Sequence, residues 1–194
     1  MIRNLTRAIL FTLVLAVLTG LVYPLVMTGF AQVAFHSKAN GSVVTVNGRQ
    51  VGSAFVGQLW KGPQWFYGRP SVIDYDASTS QGSNLGPLSK DLADAIKERA
   101  KAIIALEGPY HPGLTTAQIP VDLLTASSSG LDPQISPEAA KFQAPRIAAA
   151  RGIPLSEVMR LIDENTAQPT LGFLGEPRVN VLELNLALQQ LAAQ

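Results

Sequence analysis

The sequence predicts a single N-terminal transmembrane helix followed by a small α+β extracytoplasmic domain with a modest sheet and about four helices. Three observations lead there. No Asp, Glu, Lys or Arg occurs between Arg7 and Lys38, a stretch longer than the roughly 20 apolar residues that span a bilayer core as a helix. Behind it an Asn-Gly pair sits between β-branched residues, and further on several segments repeat apolar residues at helical spacing. A chain of 194 residues has room for one folded domain and an appendage. The expected division is 1–36 for the cytoplasmic N-terminus and anchor, and 37–194 for the extracytoplasmic domain.

The anchor accounts for a composition that is 47% hydrophobic and only 15% charged, unusual for a soluble domain. A cleaved signal peptide competes with this reading, since Arg3 and Arg7 form a basic start and Gly29-Phe30-Ala31 resembles a small-residue cleavage site. Signal peptides carry apolar regions of about 7 to 15 residues, however, and residues 8–35 are far longer, which favours an uncleaved anchor. Basic flanks stay on the cytoplasmic side, so Arg3 and Arg7 put the N-terminus inside and the bulk of the chain outside the cytoplasm. Ala8, Thr12, Ala16 and Gly20 recur every fourth residue and form one stripe. Such a stripe lets a second helix pack closely, although small residues are common in membrane helices anyway. Pro24 follows one turn later, where a kink requires neighbouring groups to satisfy the freed carbonyl.

In the domain, Val43, Val44 and Val46 before Asn47-Gly48, with Val51 after it, predict a β-hairpin. Residues 54–59 and the aromatic group Trp60, Trp65, Phe66 and Tyr67 suggest further strand or extended chain. Ser, Gly, Asn, Asp and Pro then dominate as far as Pro87, predicting loop. Leu88, Leu92, Ile96 and Ile103 predict an amphipathic helix that Gly108-Pro109 ends. Residues 121–125 read as a buried strand. Ser136-Pro137-Glu138 is a helix start, with an N-cap, a proline in the first turn and an early acid, and that helix should reach Gly152 with Pro145 kinking or interrupting it. Leu155, Val158, Leu161 and Ile162 mark a third helix, and Val181 through Leu188 and Leu191 a fourth.

Much chemistry is excluded at once. The net charge of +1 offers no cationic face for a phosphate backbone, so nucleic acid is not an expected partner. Cysteine is absent, which removes disulfides, thiolate catalysis and Cys-ligated metals, and His36 and His111 lie too far apart in sequence to suggest a histidine site. No lysine sits in a phosphate loop, and Gly82-Ser83-Asn84-Leu85-Gly86 has its serine one place early for a nucleophile elbow. Asp74 and Asp76 share a face only on a strand and read as a solvated turn rather than a cation site. Glu157, Arg160, Asp163 and Glu164 read as an ordinary charged helix face. No catalytic residue, metal site or resident cofactor is expected. What stands out is small polar character in three places: Arg69-Pro70-Ser71, residues 80–87 with Ser83 and Asn84, and residues 126–137 with Gly130 and Asp132. Loops of this length in a small domain are usually functional, and these are expected to dock a partner.

The motifs Phe66-Tyr67-Gly68-Arg69-Pro70-Ser71, Ser83-Asn84-Leu85-Gly86-Pro87, Thr125-Ala126-Ser127, Ser129-Gly130-Leu131-Asp132-Pro133, Ile135-Ser136-Pro137 and Gly175-Glu176-Pro177-Arg178-Val179-Asn180-Val181 resemble, in that order, the C subunit of the Kdp potassium-transporting ATPase. The resemblance covers essentially the whole chain, with small departures at Gln81, Ser129 and Gln134. It implies an accessory subunit of the high-affinity, ATP-driven potassium-uptake complex of the bacterial inner membrane. Its partners would be a channel-like potassium-binding subunit and a P-type ATPase subunit, which handle potassium and ATP themselves. It further implies a catalytic chaperone that raises the ATP affinity of the ATPase subunit, with the glutamine matching Gln143 implicated in nucleotide contact. That last role conflicts with the topology: ATP is cytoplasmic, while Gln143 should lie outside. An independent membrane-tethered binding domain is the alternative, and it would require a convergent polar pocket.

Overall fold

A computed structural model describes residues 1–191. The chain divides into two compact units, Met1–Val51 and Gly52–Gln194.

The first unit is dominated by one apolar helical run, Ile2–Ala34, 33 residues with a mean hydropathy of 2.4 in its most apolar window and none of that window buried. At 1.5 Å per residue it is about 50 Å long, more than the roughly 30 Å of a hydrocarbon core. It consists of α1 (Ile2–Val17), a π-helical turn (Leu18–Val22) and α2 (Tyr23–Ala34). Pro24 has no N–H to donate, and its ring crowds the Gly20 carbonyl one turn back. The wider π turn relieves that crowding upstream of the proline, and the Thr19 hydroxyl caps a further carbonyl by donating to Leu15 O at 2.7 Å. Phe35 then leaves the helical region, and a single turn, α3 (His36–Ala39), follows. The Asn40 carboxamide ties that turn back, donating to Gln32 Oε1 at 3.0 Å and to His36 O at 2.7 Å. The expected hairpin is present as β1 (Val43–Val46) and β2 (Arg49–Ser53). Asn47 and Gly48 both take positive φ, 50° and 78°, the pair of angles a two-residue type I′ turn demands.

The second unit contains all of the buried core. Its first long helix, α4 (Lys90–Glu107), begins after Ser89, whose extended backbone makes it the N-cap. Leu88 therefore lies outside the helix and is fully exposed rather than part of its apolar face. Gly108 is not a left-handed stop either: it stays right-handed and continues into a 3₁₀ turn, Gly108–Tyr110, with Pro109 in a position where its missing N–H costs nothing. The strand expected at 121–125 is instead a one-turn helix, α5 (Val121–Leu124). Leu123 and Leu124 are both buried while Val121 is exposed. A strand would have sent adjacent leucines to opposite faces, whereas a helical turn keeps both toward one side. Residues 54–59 form no strand beyond an isolated bridge between Ser53 and Val56.

After β3 (Gln134–Ile135), the main core helix α6 (Pro137–Arg151) starts where expected, with the Ser136 hydroxyl accepting from the Ala139 amide at 3.0 Å. It runs through Pro145 as one helix and ends at Gly152, whose φ of 66° is the left-handed stop. Then come α7 (Leu155–Glu164), β4 (Thr166–Ala167), β5 (Arg178–Asn180) and α8 (Val181–Leu191). The sheet order is β3-β5-β4, all antiparallel, with Val179 of β5 opposite both Ile135 and Thr166. Ala139, Ala140 and Ala144 of α6 are wholly buried, as are Val158 and Ile162 of α7 and Leu184 and Leu188 of α8. Small side chains on α6 let its neighbours pack against the backbone, and each large apolar residue so buried stabilises the fold by about 1.5–3 kcal/mol.

Candidate functional site

The most unusual arrangement in the second unit surrounds the aromatic segment 65–67. In extended chain, the N–H and C=O of one residue point to the same side, and those of the next point to the other. Phe66 presents its pair to α8: its N–H donates to Asn185 Oδ1 at 2.9 Å, and Asn185 Nδ2 donates to its carbonyl at 3.0 Å. Tyr67 presents its pair to α6: its N–H donates to Gln143 Oε1 at 2.8 Å, and Gln143 Nε2 donates to its carbonyl at 3.1 Å. Two carboxamides thus stand where neighbouring strands would be, each supplying one donor and one acceptor. Both are buried, Gln143 at 2% exposure and Asn185 at 0%.

One helical turn beyond Gln143, Arg146 is fully buried. Its Nε meets Glu107 Oε1 at 2.8 Å, its Nη2 donates to Gln143 Oε1 at 3.0 Å, and its Nη1 donates to the carbonyls of Pro63 and, at 3.0 Å, Trp65. The guanidinium also lies 4.8 Å from the centre of the Tyr67 ring. Burial pushes the Glu107 carboxyl above the ordinary carboxylate range, against the pull of Arg146. Its second oxygen has no partner among the described residues. Arg151 completes the clamp, donating to Gln64 O at 2.8 Å with its guanidinium 4.5 Å from the Trp65 ring.

The loops singled out in the sequence are knitted to one another. Arg69 pairs with Asp132 at 3.3 Å, the Pro70 carbonyl accepts from the Ser127 amide at 3.0 Å, and the Ser71 hydroxyl donates to Gly130 O at 2.7 Å. Tyr75 donates to Arg69 O at 2.6 Å, and burial, with Asp132 adding to it, pushes its phenol up to about 12. Gly130 is required here: its φ is 70°, and a Cβ would come within 2.6 Å of Ile73. The 80–87 loop joins through Ser80 and Gln81, both bonded to the Ser129 carbonyl. Ser83 and Asn84 do not; the Ser83 hydroxyl reaches only the neighbouring Leu85 amide. Asp76 caps its own turn through the Ser78 amide at 2.9 Å, which lowers its pKa, and no cluster of three His, Asp or Glu exists among the described residues. A cavity of about 520 Å³ opens between these loops and α4, with Trp60, Tyr67, Arg69, Tyr75, Arg99 and Gln143 in its wall. In the first unit, Ala8, Thr12, Ala16 and Gly20 are all exposed, and a Cβ on Gly20 would meet nothing within 4 Å.

Residues 5–190 match the family model described as KdpC, K+-transporting ATPase, c chain. The chain belongs to the KdpC family. Among similar proteins, a potassium-transporting ATPase KdpC subunit of Variovorax paradoxus is 53% identical over 95% of this chain and 94% of its own length. That of Caulobacter vibrioides is 50% identical over 97% and 93%, and that of Bradyrhizobium diazoefficiens 48% over the full length of both. The KdpC match starts inside the apolar helix, so anchor and domain belong to the family together.

Sequence reasoning singled out Gln143 only through resemblance and missed Asn185, Arg146 and Glu107 altogether. A signal existed for one of them. Ala139, Gln143 and Arg146 fall at spacings of four and three, so they share a helix face whose other member is a small apolar residue. An arginine on such a face needs a buried acid.

Proposed function

We propose that the chain is an accessory, non-catalytic subunit of an ATP-driven potassium-uptake complex in the bacterial inner membrane, with a channel-like potassium-binding subunit and a P-type ATPase subunit as its partners. The family match over residues 5–190 carries this reading, because it takes in both anchor and domain. In this reading the N-terminus is cytoplasmic and the domain lies on the far side of the membrane, as Arg3 and Arg7 before the apolar run suggest. A reporter active only in the cytoplasm, fused after Gln194, should be silent; strong activity would reverse the orientation.

The chain acts as a catalytic chaperone by stabilising one conformation of its partners, so that any rise in ATP affinity is a coupling between distant sites. The engagement of the Gln143 carboxamide by Tyr67 and Arg146 supports this, since its oxygen and nitrogen are already bonded inside the fold. Gln143→Ala should therefore lower the melting temperature of the subunit and the yield of complex, while the complexes that do assemble keep the wild-type apparent KM for ATP. A lost contact to nucleotide would instead raise that KM roughly two- to twelve-fold, the equivalent of one neutral hydrogen bond, at normal yield and stability. That second outcome would sink the indirect mechanism.

A further inference from the structure

The antiparallel pair β4 and β5 carries an apolar tip. Between Thr166–Ala167 and Arg178–Asn180 the chain runs out and returns through a second, smaller closure, in which Thr170 and Leu174 exchange both of their backbone hydrogen bonds at 2.9 Å. Above that closure, Leu171 is 79% exposed, Phe173 74% and Leu174 49%. Other exposed large apolar residues of this unit, such as Phe55, Leu88 and Val121, are scattered along the chain, whereas three fall within four residues here, and such a cluster is a surface built for contact. Leu171 takes a φ of 55°, a conformation that non-glycine residues adopt only where the surroundings hold them to it. The two bonds of the Thr170–Leu174 closure brace the tip, which reduces the ordering cost of binding.

Two features select the occupant. The tip and its flanks, residues 165–177, contain no Lys or Arg and one acid, Glu176, whereas loops and helices that settle on membrane surfaces pair their apolar residues with basic ones. The carbonyls of Leu171, Gly172 and Phe173 also have no partner among the described residues. In hydrocarbon they would stay unsatisfied, while a protein pocket can bond them at its rim. Resting on the subunit role proposed above, we infer that the Leu171, Phe173 and Leu174 tip inserts into an apolar pocket on another protein subunit of the transport complex, with hydrogen-bond donors around the mouth of that pocket.

The experiment uses the full chain in the intact membrane complex, with a photo-reactive benzoylphenylalanine at position 173. Irradiation should join it to another protein subunit. In parallel, the double variant Leu171→Ser and Phe173→Ser should weaken association about tenfold or more, as truncating a central apolar anchor does, with an unchanged melting temperature because these side chains are exposed. Cross-links to lipid alone, or co-purification undiminished in the double variant, would overturn the assignment of the tip and leave the subunit role intact. A wild-type chain that co-purifies with no other subunit would defeat both.

Discussion

Arg146→Ala should cost the domain about 3–5 kcal/mol, the range for breaking a buried ion pair by removing one partner, out of a total of some 5–15 kcal/mol for a typical fold. Arg146 is fully buried and bonds to Glu107, Gln143 and the carbonyls of Pro63 and Trp65. Its loss strands a buried Glu107, one of whose oxygens is already unpartnered. Chemical denaturation of the full chain in detergent measures the change. Replacing both partners by Met should recover the part of the loss that comes from stranding Glu107, and not the part that comes from the Pro63 and Trp65 carbonyls, to which Met cannot donate. If Arg146→Ala costs less than about 1 kcal/mol, the pair does not hold the fold as described.

Asn185→Ala should cost about 2–5 kcal/mol, because it leaves two buried backbone groups of Phe66 unsatisfied at about 1–3 kcal/mol each and takes away their partners at 2.9 and 3.0 Å. Hydrogen exchange gives the local readout. The Phe66 amide should lose its protection, while the Tyr67 amide, held by Gln143 at 2.8 Å, should keep more of its own. Equal protection of Phe66 in variant and wild type would mean that something other than Asn185 holds the segment.

The elements that could be read from the sequence are those whose signals are local. Asn47-Gly48 specifies its hairpin, Ser136-Pro137 and Gly152 delimit α6, and α7 and α8 follow from apolar spacing. Residues 121–125 misled because two adjacent leucines look the same in a buried strand and in one turn of helix. The segment 65–67 was illegible for a different reason. Its hydrogen-bond partners are side chains 119 residues away at Asn185 and 76 residues away at Gln143, and no local pattern encodes a partner at that distance. The polar loops were legible as loops, but composition does not say what they bind. Arg69 with Asp132 and Ser71 with Gly130 form pairs inside the domain, and residue type alone does not reveal pairs about sixty residues apart.

The two carboxamides that clasp residues 66 and 67 also dictate an order of events during synthesis. The aromatic segment leaves the ribosome before its clasps, which sit on α6 and α8. Until α8 has docked, Phe66 lacks the protein partner of both backbone groups, so this stretch becomes structured only after a segment well over a hundred residues further along the chain has been made. The apolar helix Ile2–Ala34, needing only its own residues, can form while everything behind it is still extended chain. Truncation before Asn185 would therefore take from Phe66 both of its backbone partners and from the core the buried Leu188.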